Sequence, residues 1–219
     1  MKCSLNEARS LSMKAAHWVG LPWGWAEEAA MSVCWLLERG WPGVDTLAAC
    51  LTGVASGRFS PLDTVPVRCG QVWTGGPEGL FPIVVGTMVN DRAHDIAAGA
   101  PLETARLIYP ILLLPFVDAA SAVTGCALVL EWPGTRLEVH GRVGVHVVEK
   151  TTLLASNAAE LCCRRLSTTH PAVPPRRTVA ATDVRSDAWE ALAEFARWTY
   201  VPSSGRSRDR GAGEGAASS

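Results

Sequence analysis

A single α+β domain is the fold class that the sequence predicts: a helical N-terminal hairpin, a mainly antiparallel sheet, a C-terminal helix and a flexible Gly/Ser/Arg tail. Three observations predict it. Apolar residues recur at helical spacing behind a cap in the first forty residues, and again after Ser186. Between them, Ala127–Trp132 and Thr135–His140 flank Pro133-Gly134, the signature of a tight hairpin turn. The chain has 219 residues, 48% of them apolar, enough for one core that needs neither disulfide nor metal. The predicted domain covers 1–202, and residues 203–219, with no aliphatic side chain larger than Ala, form the tail.

Taken in order, Ser4-Leu5-Asn6-Glu7 is a capping box opening a helix from about residue 5 to Val19, with Leu5, Ala8, Leu11, Ala15 and Trp18 on one face. Gly20 supplies the left-handed exit, and Pro22 suits the first position of a second helix. That helix sets Glu27 and Glu28 near its positive end, buries Trp25, Ala29, Ser32, Val33, Leu36 and Leu37, and stops at Gly40. Val44–Val54 predicts a third helix. Ser56–Pro82 is rich in Gly and Pro and predicts loops with one strand at Gln71–Trp73, followed by a buried strand at Ile83–Val85 and a helix at Asn90–Ala98. Ile111–Phe116 and Ala127–Leu130 read as buried strands joined by a small-residue helix. From Leu137 to Val147 the odd positions are apolar and the even ones polar, predicting one half-buried strand with a bulge at Gly141. Thr152–Arg165 leans towards helix from Asn157, Thr178–Ala181 reads as an edge strand, and a last helix from Ser186 buries Trp189, Leu192, Ala193 and Ala196.

Charge and targeting signals exclude several classes. Twenty Lys plus Arg against 21 Asp plus Glu leave a net charge of −1, which argues against nonspecific nucleic-acid binding. The N-terminus lacks the apolar core of a signal peptide, predicting a cytoplasmic protein. Leu107–Trp132 is long and apolar enough to imitate a membrane span. Pro110, Pro115 and the central Asp118 argue against it, the Asp alone costing about 2.5–3.5 kcal/mol on insertion scales. Seven cysteines, an odd number with no CxxC, read as reduced thiols packed as small hydrophobes. No P-loop, GxGxxG, HExxH or GxSxG pattern occurs, so no cofactor, metal or catalytic residue is assigned.

Three constellations remain. Asp91, His94 and Asp95 fall within one helical turn, where His94 could act as a base oriented by a carboxylate, or where all three form a solvated face. His140, Arg142 and His146 share one face of the predicted strand, with no third metal ligand in evidence. Trp18, Trp23, Trp25, Trp35 and Trp41 crowd into the helical hairpin, a pattern that fits core packing or a partner surface.

Two stretches carry a resemblance. Ser4-Leu5-Asn6-Glu7, Lys14-Ala15-Ala16, Gly20-Leu21-Pro22-Trp23-Gly24, Ala26-Glu27-Glu28-Ala29, Trp35-Leu36 and Arg39-Gly40-Trp41-Pro42-Gly43 resemble the opening of the bacterial family catalogued as domain of unknown function 3726. Pro110–Phe116 resembles its apolar middle block. Thr199-Tyr200-Val201-Pro202, Ser207-Arg208 and Gly211-Ala212-Gly213 resemble its ending, although Ser204-Gly205 stands where Thr-Glu is expected and the acidic ending is replaced by Ala216–Ser219. The family supplies no activity. The helical opening is also similar to the N-terminal helices of the malate/L-lactate dehydrogenase superfamily without a Rossmann fold. That superfamily carries Ser-His-Gly where this chain has Trp41-Pro42-Gly43, so the resemblance does not bring nicotinamide chemistry with it. The ending shared with the uncharacterised bacterial family implies a tail that either stays flexible or folds back, with Arg208 pairing a carboxylate or phosphate.

The function this predicts is a non-catalytic accessory protein binding a small acidic metabolite or a partner enzyme, with Trp23, Glu27, Tyr200, Ser207 and Arg208 as the candidate binding residues. The alternative is an enzyme of small-molecule catabolism using a carboxylate or His base such as Glu27 or His94.

Overall fold

A computed structural model describes residues 1–61, 67–69, 72–167 and 181–197. In chain order the elements are β1 (Lys2–Ser4), α1 (Leu5–Trp18), α2 (Trp23–Glu38), α3 (Gly43–Ala55), β2 (Val67–Cys69), β3 (Val72–Thr74), α4 (Pro82–Asp91), α5 (Ala93–Ala97), β4 (Leu102–Thr104) and β5 (Leu107–Ile108). There follow a 3-10 turn (Pro110–Leu113), α6 (Leu114–Thr124), β6 (Leu128–Trp132), β7 (Thr135–Val139), a second 3-10 turn (Gly141–Val143), β8 (Val145–Lys150), β9 (Asn157–Ala158), β10 (Leu161–Arg165), β11 (Ala181–Asp183) and α7 (Ser186–Arg197). The fold is α+β, with N-terminal helices, a mixed sheet and a C-terminal helix.

The capping box forms as the sequence predicts. The Glu7 amide donates to Ser4 Oγ at 3.2 Å, and the Ser4 amide donates to Glu7 Oε2 at 2.8 Å. Gly20 takes a φ of +103°, which turns the chain into α2; Pro22 stands just before that helix as its N-cap. A side chain on Gly43 would lie 2.7 Å from Val33 O, so only glycine lets α3 start against α2. Helix α7 packs on α1 and α3, and β11 pairs antiparallel with β1.

The sheet has seven strands in the order β2-β3-β4-β10-β6-β7-β8, antiparallel except at β3–β4. The predicted hairpin is present, with Gly134 at φ +79° in its turn. Leu102, Leu128, Leu130, Leu137, Val139 and Cys163 point from one face into the core, where α5 and α6 cover them. Helix α6 also meets α2, and Ser32 Oγ of α2 donates to Leu112 O of the preceding 3-10 turn at 2.9 Å. No helix among the described residues is long and apolar enough to cross a membrane.

Several predicted elements are corrected. Ile83–Val85 is helical, because α4 is apolar nearly all round and so shows no alternation to separate it from a strand. Ile111–Phe116 is the 3-10 turn and the start of α6; Pro110 and Pro115 each sit in the first turn of a helical segment, where a missing N–H costs nothing. Leu137–Val147 is two strands, not one. The chain reverses at Gly141 (φ +55°) and Gly144 (φ +143°), and the bulge lies opposite Arg136/Leu137 instead. His140 therefore sits at the end of β7 and His146 on β8, away from a common strand face. Asn157–Arg165 forms strands β9 and β10, and β10 lies mid-sheet, where long-range pairing overrides local preference. The predicted edge strand at Thr178–Ala181 is outside the described residues apart from Ala181, which opens β11.

Gly86 of α4 lies against the Phe116 ring, with no room for a Cβ. In an exposed helix Gly→Ala stabilises by about 1 kcal/mol. Gly86→Ala reverses that sign and destabilises by about 1–3 kcal/mol through overpacking, measured as a lower urea midpoint at unchanged slope.

Candidate functional site

The Trp cluster divides into buried and exposed halves. At the C-terminal end of α2, Trp35 donates from Nε1 to Asp118 Oδ2 at 2.8 Å and meets Trp41 edge-on at 5.9 Å. The Arg39 guanidinium lies 3.7 Å over the Trp35 ring and 3.7 Å from Asp118 Oδ2. Asp118 is mostly buried and its Oδ1 has no hydrogen-bond partner. Burial raises its carboxyl above the usual aspartate value, against the Trp35 hydrogen bond and the Arg39 charge. These groups join α2 to α6.

At the other end of the hairpin, Trp18 and Trp23 are exposed. Trp18 stacks on Phe195 of α7 and Trp23 on His17, with ring centroids 5.4 Å and 3.7 Å apart. Glu27, one turn beyond Trp23, is exposed and bonds Arg9 at 3.1 Å. Trp23 and Glu27 thus share an outward face of the hairpin. Tyr200, Ser207 and Arg208 lie outside the described residues. Asp91, His94 and Asp95 are all exposed, and Asp95 pairs with Arg92 at 3.7 Å.

A larger site lies on the sheet face that sequence reasoning did not single out. Val72, Glu103, Cys162, Glu131, Arg136 and Glu149 form one cross-strand row over six neighbouring strands. They line an open groove of about 880 Å³, together with Ala105, Pro133 and Glu160. Glu131 is its centre: Arg164 bonds it through Nε at 2.9 Å and Nη2 at 3.3 Å, and Arg136 through Nη1 at 2.7 Å. Arg136 also reaches the buried Glu138 at 3.3 Å, and His146 lies 3.5 Å from the same carboxylate. The Cys162 thiol is pushed up to about 11 by burial and then by Glu131 and Glu103, so it stays protonated at neutral pH. Among the described residues no three His, Cys, Asp or Glu side chains are grouped to hold a metal ion.

The fold is similar to that of several solved dehydrogenases. A dehydrogenase from Sinorhizobium meliloti superposes with a TM-score of 0.53 at 15% identity, over 90% of this chain and 68% of its own. Sulfolactate dehydrogenase from Methanocaldococcus jannaschii gives 0.50 at 13%, over 63% of this chain and 46% of its own. Malate dehydrogenase from Pyrococcus horikoshii OT3 gives 0.49 at 14%, over 73% and 50%. The chain spans about half the length of the latter two, and at these identities the likeness is one of fold alone. Residues 3–72 match the family described as protein of unknown function (DUF3726), the family that the opening motifs resemble. No curated protein matches the chain. Trp41-Pro42-Gly43 follows the end of α2, and Trp41 is buried against Trp35, so that position does structural work in this chain.

Two measurements check the Trp35–Asp118 corner. Trp35→Phe leaves a buried carboxylate short of its donor and costs about 1–3 kcal/mol in urea unfolding. Because the folded value of Asp118 lies above 3.8, folding favours the protonated form. Its contribution is fully present below the unfolded value and is lost as pH rises through the folded value. Stability relative to Asp118→Asn therefore falls with rising pH on the acid limb; a difference flat in pH contradicts the assignment.

Proposed function

We propose that this chain binds a small molecule without converting it, as an accessory protein, and that the groove over Glu131 is where the molecule sits. The observation that carries this reading is the state of the ionisable groups there. Glu131 is neutralised by two arginines and the Cys162 thiol stays protonated, so neither is poised as base or nucleophile. The groove has the volume of a small-molecule site, about 300–1,000 Å³ in general, and joins apolar walls to a few oriented polar groups. A ligand finds apolar surface on Val72, Ala105 and Pro133, and hydrogen-bond acceptors on Glu103 and Glu149. The exposed Trp18 and Trp23 give a partner enzyme an aromatic surface on a separate part of the molecule. The acidic metabolite expected from Arg208 belongs to the tail, which lies outside the described residues.

Native mass spectrometry of protein purified gently from its own host tests this. The expected result is an added mass of a few hundred daltons that is lost in Val72→Trp, a variant that fills the groove from an edge of the row. An adduct retained by Val72→Trp removes the groove from the account. Turnover of a metabolite by the purified protein, abolished by Glu27→Gln or His94→Ala, moves the reading to the enzyme class.

A further inference from the structure

The charges around the groove over Glu131 are unequal. Glu103, Glu131, Glu149 and Glu160 all line it, and the one cation among the described lining residues is Arg136. Arg136 is already engaged: Nη1 bonds Glu131 at 2.7 Å and Nη2 bonds the buried Glu138 at 3.3 Å. Arg164, beside the groove, gives Nε and Nη2 to Glu131. The two guanidiniums offset Glu131 and leave no arginine or lysine of the described lining free for an anion. Glu103, Glu149 and Glu160 form no ion pair with any described residue. Cys162 stands between Glu103 and Glu131 in the row, and its thiol is raised by burial and then by Glu131 and Glu103. Negative charge is therefore disfavoured along the groove's floor.

The three carboxylates without an ion pair stand at the two ends of the row. Glu103 of β4 is directly across from Cys162 of β10, and Glu160, two residues before Cys162, lines the same end. Glu149 of β8 stands at the far end, opposite Arg136 of β7. From β4 to β8 the sheet takes four strand steps, about 19 Å at about 4.8 Å per step. Pro133, in the turn between β6 and β7, gives apolar surface between the ends. A metal ion does not fit this spacing: among the described residues no three His, Cys, Asp or Glu side chains are grouped to hold one. A cation that matches the groove carries its charge spread along its length.

We propose, on the reading that the groove holds a small molecule, that this molecule is an elongated organic polyamine. One terminal ammonium pairs with Glu103 and Glu160, the other with Glu149, and the methylene chain lies over Pro133. An ionised carboxylate only accepts hydrogen bonds and an ammonium only donates them, so the two sets match without a proton changing hands. In a half-buried groove each such contact is worth more than in open water. The Glu131 pair stays closed, a neutral midpoint under the chain.

Isothermal titration of the full chain with spermine tests the proposal, with succinate as the anionic comparison. Glu103→Gln and Glu149→Gln keep the side chain's shape and break no ion pair within the described fold. The expected result is spermine binding that Val72→Trp abolishes and that each glutamine variant weakens about three- to tenfold, with added salt weakening it further. Spermine that fails to bind at millimolar concentration overturns the proposal, as does binding that both glutamine variants retain in full. Succinate bound in place of spermine and lost in Val72→Trp keeps the groove as a small-molecule site and overturns the polyamine. A host-derived adduct lost in Val72→Trp that contains no basic nitrogen does the same. Spermine binding that Val72→Trp leaves unchanged places the cation elsewhere and overturns the proposal.

Discussion

The stretch from Pro110 to Ala120 has to be buried on two sides at once, and the rest of the structure follows from that constraint. Ile111, Leu112, Leu113, Leu114, Phe116 and Val117 are almost wholly removed from solvent. At about 1.5–3 kcal/mol per buried large side chain, this single segment contributes on the scale of a domain's entire net stability. One side is closed by α2 and α4, the other by β6 and β7. Polar groups tie it in from both directions: Ser32 bonds Leu112 O, and just beyond the stretch Ser121 Oγ lies within reach of Cys126 O and Val139 O at 2.6 and 3.1 Å. Asp118 is carried into this boundary with it, and Trp35 and Arg39 are the response that keeps its charge tolerable there.

Because the helices occupy one face of the sheet, the other face is left to the Glu131 row. There the pleat brings together residues from six strands that are distant in sequence. A carboxylate held by two arginines is a fixed, low-reactivity feature, suited to orienting a bound molecule and poorly suited to moving protons. Burial and the neighbouring glutamates keep the Cys162 thiol in its neutral form, which extends the same character along the row.

How much of this was legible depended on the range of each signal. The capping box at Ser4, the exit at Gly20 and the Pro133-Gly134 hairpin are local, and each was read from a few adjacent residues. Helix α4 and the start of α6 were not, since a segment buried all round carries neither a 3.6 nor a 2.0 period, and β-branched Ile83-Val84-Val85 then reads as strand. Strand β10 failed for a different reason: Leu161–Arg165 is a strand only because β4 and β6 lie on both sides of it. The same non-local pairing hid the groove. Glu131, Arg136 and Arg164 read as ordinary polar positions until the sheet aligned them, whereas Trp23 and Glu27 stood out within a motif. Alternation of Arg136 and Glu138 with buried neighbours was the one available hint.

The central claim is that a small molecule occupies the groove over Glu131. A crystal structure of the protein isolated from its own host, without added ligand, tests it most directly. The account predicts ordered density for an organic molecule between Val72, Ala105 and Pro133, with a donor group facing Glu103 or Glu149. A groove holding only water, with ligand density elsewhere on the molecule, contradicts it.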